Sequence, residues 1–182
     1  MIAERGPVLV AWARARIRAE LGGAPANRPD VPWRDDPGAT FVTLRRADGA
    51  LQGCVGSIRP ARSLIDDLGR NAVAAFDDSR GIDLELADVA TLDISISILS
   101  PLAEIPHGSE REMLAAIHPG DGVVLEARSK RGVFLPVVWE RIPDHAAFMS
   151  ALKRKAGLPP TFWSDQVQLW TYSVEHHTEK GT

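Results

Sequence analysis

The chain reads as an α+β protein, an antiparallel sheet flanked by helices, and three observations predict it. Asp48-Gly49 sits between two alternating runs, Thr40–Arg46 and Ala50–Ile58, which is the signal of a tight hairpin. Asp93–Leu99 alternates isoleucine with serine, as a strand with one buried and one wet face does. Segments with helical spacing of apolar residues bracket these strands. With 182 residues, 45% of them apolar and 25% charged, the chain has ordinary globular composition and enough length for a core in one domain or a compact two-lobed unit.

The first helix is expected over residues 7–21. Pro7 suits a first turn, Val10, Ala13, Ile17 and Leu21 recur at helical spacing, and Gly22-Gly23 ends it. Its Arg14, Arg16 and Arg18 read as a solvated face. Four prolines between 22 and 37 make an irregular loop, with Trp33 as its anchor. After the hairpin, residues 62–76 repeat Ile65, Leu68, Ala72, Ala75 and Phe76 on one helical face. Asp66 and Asp67 fall in its first turn, where the helix dipole favours them, and read as a solvated end. Asp78 and Arg80 follow in a loop, placed either to brace backbone or to position a ligand.

Ser109–Glu112 is a capping box opening a short helix through Ile117. Residues 122–128 and 132–138 form a second hairpin about Ser129-Lys130-Arg131, its return strand interrupted by Pro136. Asp144 caps a helix that Gly157 stops. Trp139 is expected against the sheet edge with Glu140 solvated, and residues 166–175 read as one last strand before a frayed tail. The order helix, strand, turn, strand, helix, strand thus occurs twice, in lobes at 7–100 and 101–176, an architectural duplication.

The totals exclude several function classes. A net charge of −3 argues against a general nucleic-acid binder, whose contacts need a basic face. One cysteine makes an intramolecular disulfide impossible, and a reducing cytoplasm is the expected location. The apolar run Val8–Ala13 is too short for a signal peptide and is cut by Arg14; no stretch approaches the ~20 apolar residues of a membrane span. The five histidines do not fall at zinc-ligand spacing; His176 and His177 stand beside Glu175 without an evident partner, so no metal is expected. No phosphate or dinucleotide loop is present, and no cofactor is expected.

The stretch that singles itself out is Leu51-Gln52-Gly53-Cys54-Val55-Gly56-Ser57, which holds the only cysteine between two glycines. Strand alternation puts Leu51, Gly53, Val55 and Ser57 on one face and Gln52, Cys54, Gly56 and Ile58 on the other. The glycines leave room and N–H groups for a guest beside the thiol, or they let a helix pack closely while Cys54 fills space as a small apolar residue. Ser95 and Ser97 join this site if their strand lies beside it. A reactive thiol also needs a cation, a base or a helix end nearby, and Arg59 lies too far along the strand to serve. A Cys54–His–Asp triad is conceivable in space, with no sequence feature selecting the histidine.

These residues resemble the AMMECR domain, called protein A of the AmmeMemoRadiSam system in prokaryotes. Leu51–Ser57 is similar to its Leu-Arg-Gly-Cys-Ile-Gly-Thr signature, Asp78-Ser79-Arg80 to its Asp-Pro-Arg, and Ile94–Leu99 to its Ser-Val-Ser-Val-Leu strand. Arg131–Pro136 with Trp139-Glu140, then Lys155–Pro159, resembles its C-terminal half. The resemblance spans residues 7 to 176. Gln52 stands in place of the usual arginine, Gly81 in place of an aromatic, and Val137 in place of a glutamine. The resemblance implies an α+β fold with a cleft between two lobes, and genomic company with Memo-like and radical SAM proteins as partners in a pathway. The expected function is a binding module whose cleft takes an unknown small ligand or a partner through Gln52, Gly53, Gly56, Ser57, Asp78 and Arg80. The alternative is a cysteine-dependent enzyme or covalent carrier with Cys54 as nucleophile.

Overall fold

The computed structural model describes residues 5–181. Two compact units divide the chain: one runs through Leu99 and resumes at Glu175, and the other is Ser100–Val174.

The first unit opens with helix α1 (Arg5–Glu20), which buries Leu9, Val10, Ala13 and Ile17 along one stripe. Gly22, at φ +78°, turns the chain out of the helix, and the N–H of Gly23 closes on the Arg18 carbonyl. Arg14 is not solvated. Its guanidinium donates to the carbonyls of Val89, Ala90 and Leu92 and pairs with Glu179. The Arg5 guanidinium lies 4.6 Å over the Trp33 ring, which also packs on the core.

Strands β1 (Pro37–Arg45) and β2 (Leu51–Gly56) form the expected hairpin, with Gly49 at φ +80° in the turn. The pairs Val42–Val55, Thr43–Cys54 and Leu44–Gly53 are in register, but Arg45 pairs with Leu51, so Gln52 is bulged out of the ladder. A two-residue strand β3 (Arg62–Ser63) leads into helix α2 (Leu64–Phe76), whose first turn is capped by the Ser63 hydroxyl accepting from the N–H of Asp66. Strand β4 (Asp93–Leu99) then pairs with β1. Val42, Leu44, Ile94 and Ile96 meet Ile65, Leu68, Ala72 and the α1 stripe in one core.

In the second unit, short strand β5 (Ala103–Glu104) precedes helix α3 (Glu110–Ala115), whose Ser109–Glu112 capping box is complete in both directions. Strands β6 (Gly122–Ala127) and β7 (Lys130–Phe134) form a hairpin about Arg128-Ser129, one residue earlier than expected, with Arg128 at φ +58°. The return strand stops at Phe134, because Pro136 lacks an N–H and opens a 3-10 turn, Pro136–Glu140, instead. Helix α4 (His145–Lys155) is capped by Asp144. Trp139 is buried and stacks on Phe148 at 3.8 Å, while Glu140 is exposed.

The expected single last strand is two. Strand β8 (Val167–Tyr172) pairs with β6, and β9 (Val174–Glu179) pairs with β4 of the first sheet, so the tail is ordered ladder and not fraying chain. At the junction Ser100 and Ser173 are tied by two 3.0 Å hydrogen bonds.

The sheet orders are β2-β1-β4-β9 and β5-β8-β6-β7. Each holds the same core motif: an outer hairpin strand, its partner, and the strand that follows the helix.

Candidate functional site

The site is built on β2, the edge of the first sheet. Gly53 faces α2 so closely that a Cβ there would collide with the Ala75 carbonyl oxygen and with Asp78 Cβ. Val55 packs on the core on the same side. Cys54, one residue along, therefore points to the opposite face, as alternation requires. Its thiol is half-buried and accepts a 3.2 Å hydrogen bond from the Thr43 hydroxyl across the ladder.

Edge strands leave outward backbone groups unpaired. At Cys54 both are satisfied by one Asp–Arg pair. Its N–H donates to Asp78 Oδ2 at 3.1 Å, and its carbonyl accepts from Arg80 Nη2 at 3.0 Å. Arg80 in turn grips Asp78 through Nε at 2.9 Å, through its own backbone N–H at 3.1 Å and through Nη2. The Arg80 guanidinium, then its N–H and that of Cys54, hold the Asp78 carboxyl well below the usual carboxylate range. Asp78 and Arg80 thus stand where a further strand would pair.

The space beside the thiol is not empty. A side chain at Gly56 would strike the Phe41 ring, so that ring lies over the glycine and covers the backbone that the sequence left open to a guest. Gln52 does not share the Cys54 face. The bulge turns it inward, where it is 1% exposed and donates to the carbonyls of Phe76 and Ile82 at 3.2 and 2.8 Å. It also touches the Gly81 backbone, where a Cβ would not fit. Alternation alone could not reveal this, because a bulge depends on the partner strand.

Ser57 faces α2 and donates to Asp67 Oδ1 at 2.7 Å. Asp67 is not a solvated end. It is fully buried and accepts from the Thr40 N–H at 2.9 Å, the Thr40 hydroxyl at 2.8 Å, Asn71 at 2.9 Å and Arg62 at 3.1 Å. This clamp ties the open ends of β1 and β2 to the first turn of α2. Asp66, its neighbour, is exposed and pairs with Arg28.

The far side of the sheet carries a row that sequence reasoning glimpsed in part. Thr43 is in register with Ser95, and Phe41 with Ser97. Ser95 shares a 3.2 Å hydrogen bond with Thr178, and His176 shares bonds of 3.2 and 2.9 Å with Ser97 and Thr178. His176 thus has partners, and His177 has one in Glu175 at 2.7 Å. β4 lies beside β1, not beside β2, so the serines share the face of Cys54 but not its immediate surroundings. Three strand spacings, about 14 Å, separate the strands of Cys54 and His176. His176 is no base for this thiol. Among the described residues no group of three or more His, Cys, Asp or Glu is placed to hold a metal ion, and no helix is long and apolar enough to cross a membrane.

Comparison with known proteins agrees with the motifs. The family model described as AMMECR1 matches residues 10–177. A protein of Methanothermobacter thermautotrophicus is 32% identical over 98% of this chain and 96% of its own length. Protein MJ0810 of Methanocaldococcus jannaschii is 32% identical over 94% of this chain and 89% of its own. The crystal structure titled as the uncharacterized protein PH0010 from Pyrococcus horikoshii superposes with a TM-score of 0.84 at 29% identity, covering 97% of this chain and 92% of that one. On the matched span, the relatives and the shared fold, the chain belongs to the AMMECR1 family.

Proposed function

We propose that this chain is a non-catalytic binding module whose recognition surface is the open face of the first sheet. That surface centres on Cys54 and Thr43, extends over Ser95, Ser97, His176 and Thr178, and is bordered by Asp78 and Arg80. One observation carries the reading: every group that nucleophilic chemistry would use at Cys54 is already committed to structure. The Cys54 N–H, a natural oxyanion donor, is held by Asp78, both glycines are filled by neighbours, and His176 stands three strands away. Gln52, Gly53 and Ser57 then serve the surface from behind by fixing β2 against α2. The partners that the family resemblance names are Memo-like and radical SAM proteins acting in one pathway.

The test is a titration of purified Memo-like and radical SAM proteins against wild type and against Ser95→Arg, a change at the centre of the exposed row. Binding that the variant loses while its thermal midpoint holds supports the surface. Binding that survives the arginine removes it.

The half-buried thiol, with the Thr43 hydroxyl donating to its sulfur, favours a second reading in which Cys54 takes a covalent guest. Iodoacetamide separates the two. Native Cys54 reacting faster than the urea-unfolded chain would make it a nucleophile or covalent tether, whereas slower reaction leaves it a structural member of the binding face.

A further inference from the structure

On the helical side of the first unit, α1 and α2 border a groove of about 510 Å³, lined by Trp12, Arg16, Gly69, Arg70, Val73 and Asp77 among others. Gly69, Arg70 and Val73 follow each other at helical spacing, so α2 presents them as one ridge, with its C-cap residue Asp77 one turn further on. Gly69 lets α1 pack closely on this ridge. A Cβ there would stand 3.1 Å from both Arg16 Cγ and Trp12 Nε1, so the α1 side chains lie directly against its backbone. Trp12 is a fixed wall, because its indole N–H donates to the Ile65 carbonyl at 2.8 Å.

The charges are distributed unevenly. Arg28, at one end, is fully committed to Asp35, Asp66, Ser63 and the Arg34 carbonyl. Arg14, on the same helix as Arg16, is likewise committed to three carbonyls and Glu179. Arg16 only leans toward the Trp12 ring, 5.9 Å from its centroid, and Arg70 is exposed. Neither guanidinium makes a hydrogen bond or ion pair among the described residues. Two guanidinium forks without ion-pair partners thus line the groove with an apolar floor of Val73, Ala74 and the Trp12 edge, while of its two carboxylates Asp66 is paired with Arg28 and Asp77 stands at the C-terminal end of α2. Guanidinium forks match the paired oxygens of phosphate and carboxylate.

We propose that this groove binds a small organic oxyanion, a phosphate or carboxylate on a flat apolar body, with Arg16 and Arg70 holding the oxyanion and Val73 and Ala74 under the body. The site is independent of the sheet face proposed above.

Phenyl phosphate and benzoate are the probes, titrated at physiological salt into the full chain and followed by the arginine Nε–H resonances. The expected result is saturable movement of the Arg16 and Arg70 signals, weakened about 10- to 100-fold by either Arg16→Gln or Arg70→Gln. Arg111→Gln, a change on α3 outside the groove, leaves it unaltered. Tighter binding of phenyl phosphate assigns the oxyanion as phosphate, and tighter benzoate assigns it as carboxylate. Unmoved signals with both probes, or equal binding by the two glutamine variants and wild type, would overturn the site. Inorganic phosphate binding as tightly as phenyl phosphate would overturn the apolar floor.

Discussion

Gly53 and Gly132 occupy the same place in two sheets. Each lies on the outer strand of a hairpin, opposite a core leucine, Leu44 in one unit and Leu125 in the other. Each lies under a helix carbonyl, that of Ala75 and that of Leu152, which a Cβ on Gly132 would approach to 2.7 Å. The next residue in each strand has its carbonyl capped by a cation, Cys54 by Arg80 and Val133 by Lys155 at 2.7 Å. The glycine and the capped carbonyl are therefore what this hairpin-and-helix motif requires in order to close. The thiol is not, since valine occupies its place in the second unit. The glycine belongs to the architecture, and the choice of cysteine needs a separate reason.

Gly53→Ala is expected to cost about 4 kcal/mol in urea denaturation and Gly132→Ala about 1–3 kcal/mol, because the first helix is seated closer to its glycine. Equal costs would remove that distinction. Asp67→Ala strands the Thr40 N–H and Asn71 in the interior, leaves Arg62 without its carboxylate, and is expected to lose about 3 kcal/mol in the same assay. A loss of a few tenths would mean that water replaces the clamp.

Cys54→Val makes the first hairpin resemble the second. Its thermal stability is expected to stay within about 1 kcal/mol of wild type, while binding on the sheet face weakens. A large loss of stability would show that the thiol is needed for packing after all.

The smallest effect concerns pH. The Asp78 carboxyl is held lower in the folded chain than in the unfolded one, so its contribution is complete above the unfolded value of about 3.9 and fades as pH falls below it. The stability gap between wild type and Asp78→Asn should be flat from about pH 5 to 8 and narrow in acid. A gap that moves near neutrality would point to another group.

Much of this was legible locally. Asp48-Gly49, the Ser109–Glu112 box, the Asp144 cap and the Ile/Ser alternation of β4 are each encoded within a few residues, and each appears where expected. What escaped depends on distant chain. Asp67 looked solvated because Thr40 and Ser57, which bond it, come from outside its helix. Gln52 changed faces because the ladder slips at Leu44–Arg45 of the opposite strand. His176 acquired partners only when β9 paired with β4.

That last pairing sets an order of events during synthesis. The first sheet takes its final strand, Val174–Glu179, from chain made after the whole of Ser100–Val174. Until those residues leave the ribosome, β4 is a bare edge, and bare edges recruit other strands. The second unit can close beforehand, since its ends are tied to each other at Ser100 and Ser173. In this chain the part begun first is the part finished last.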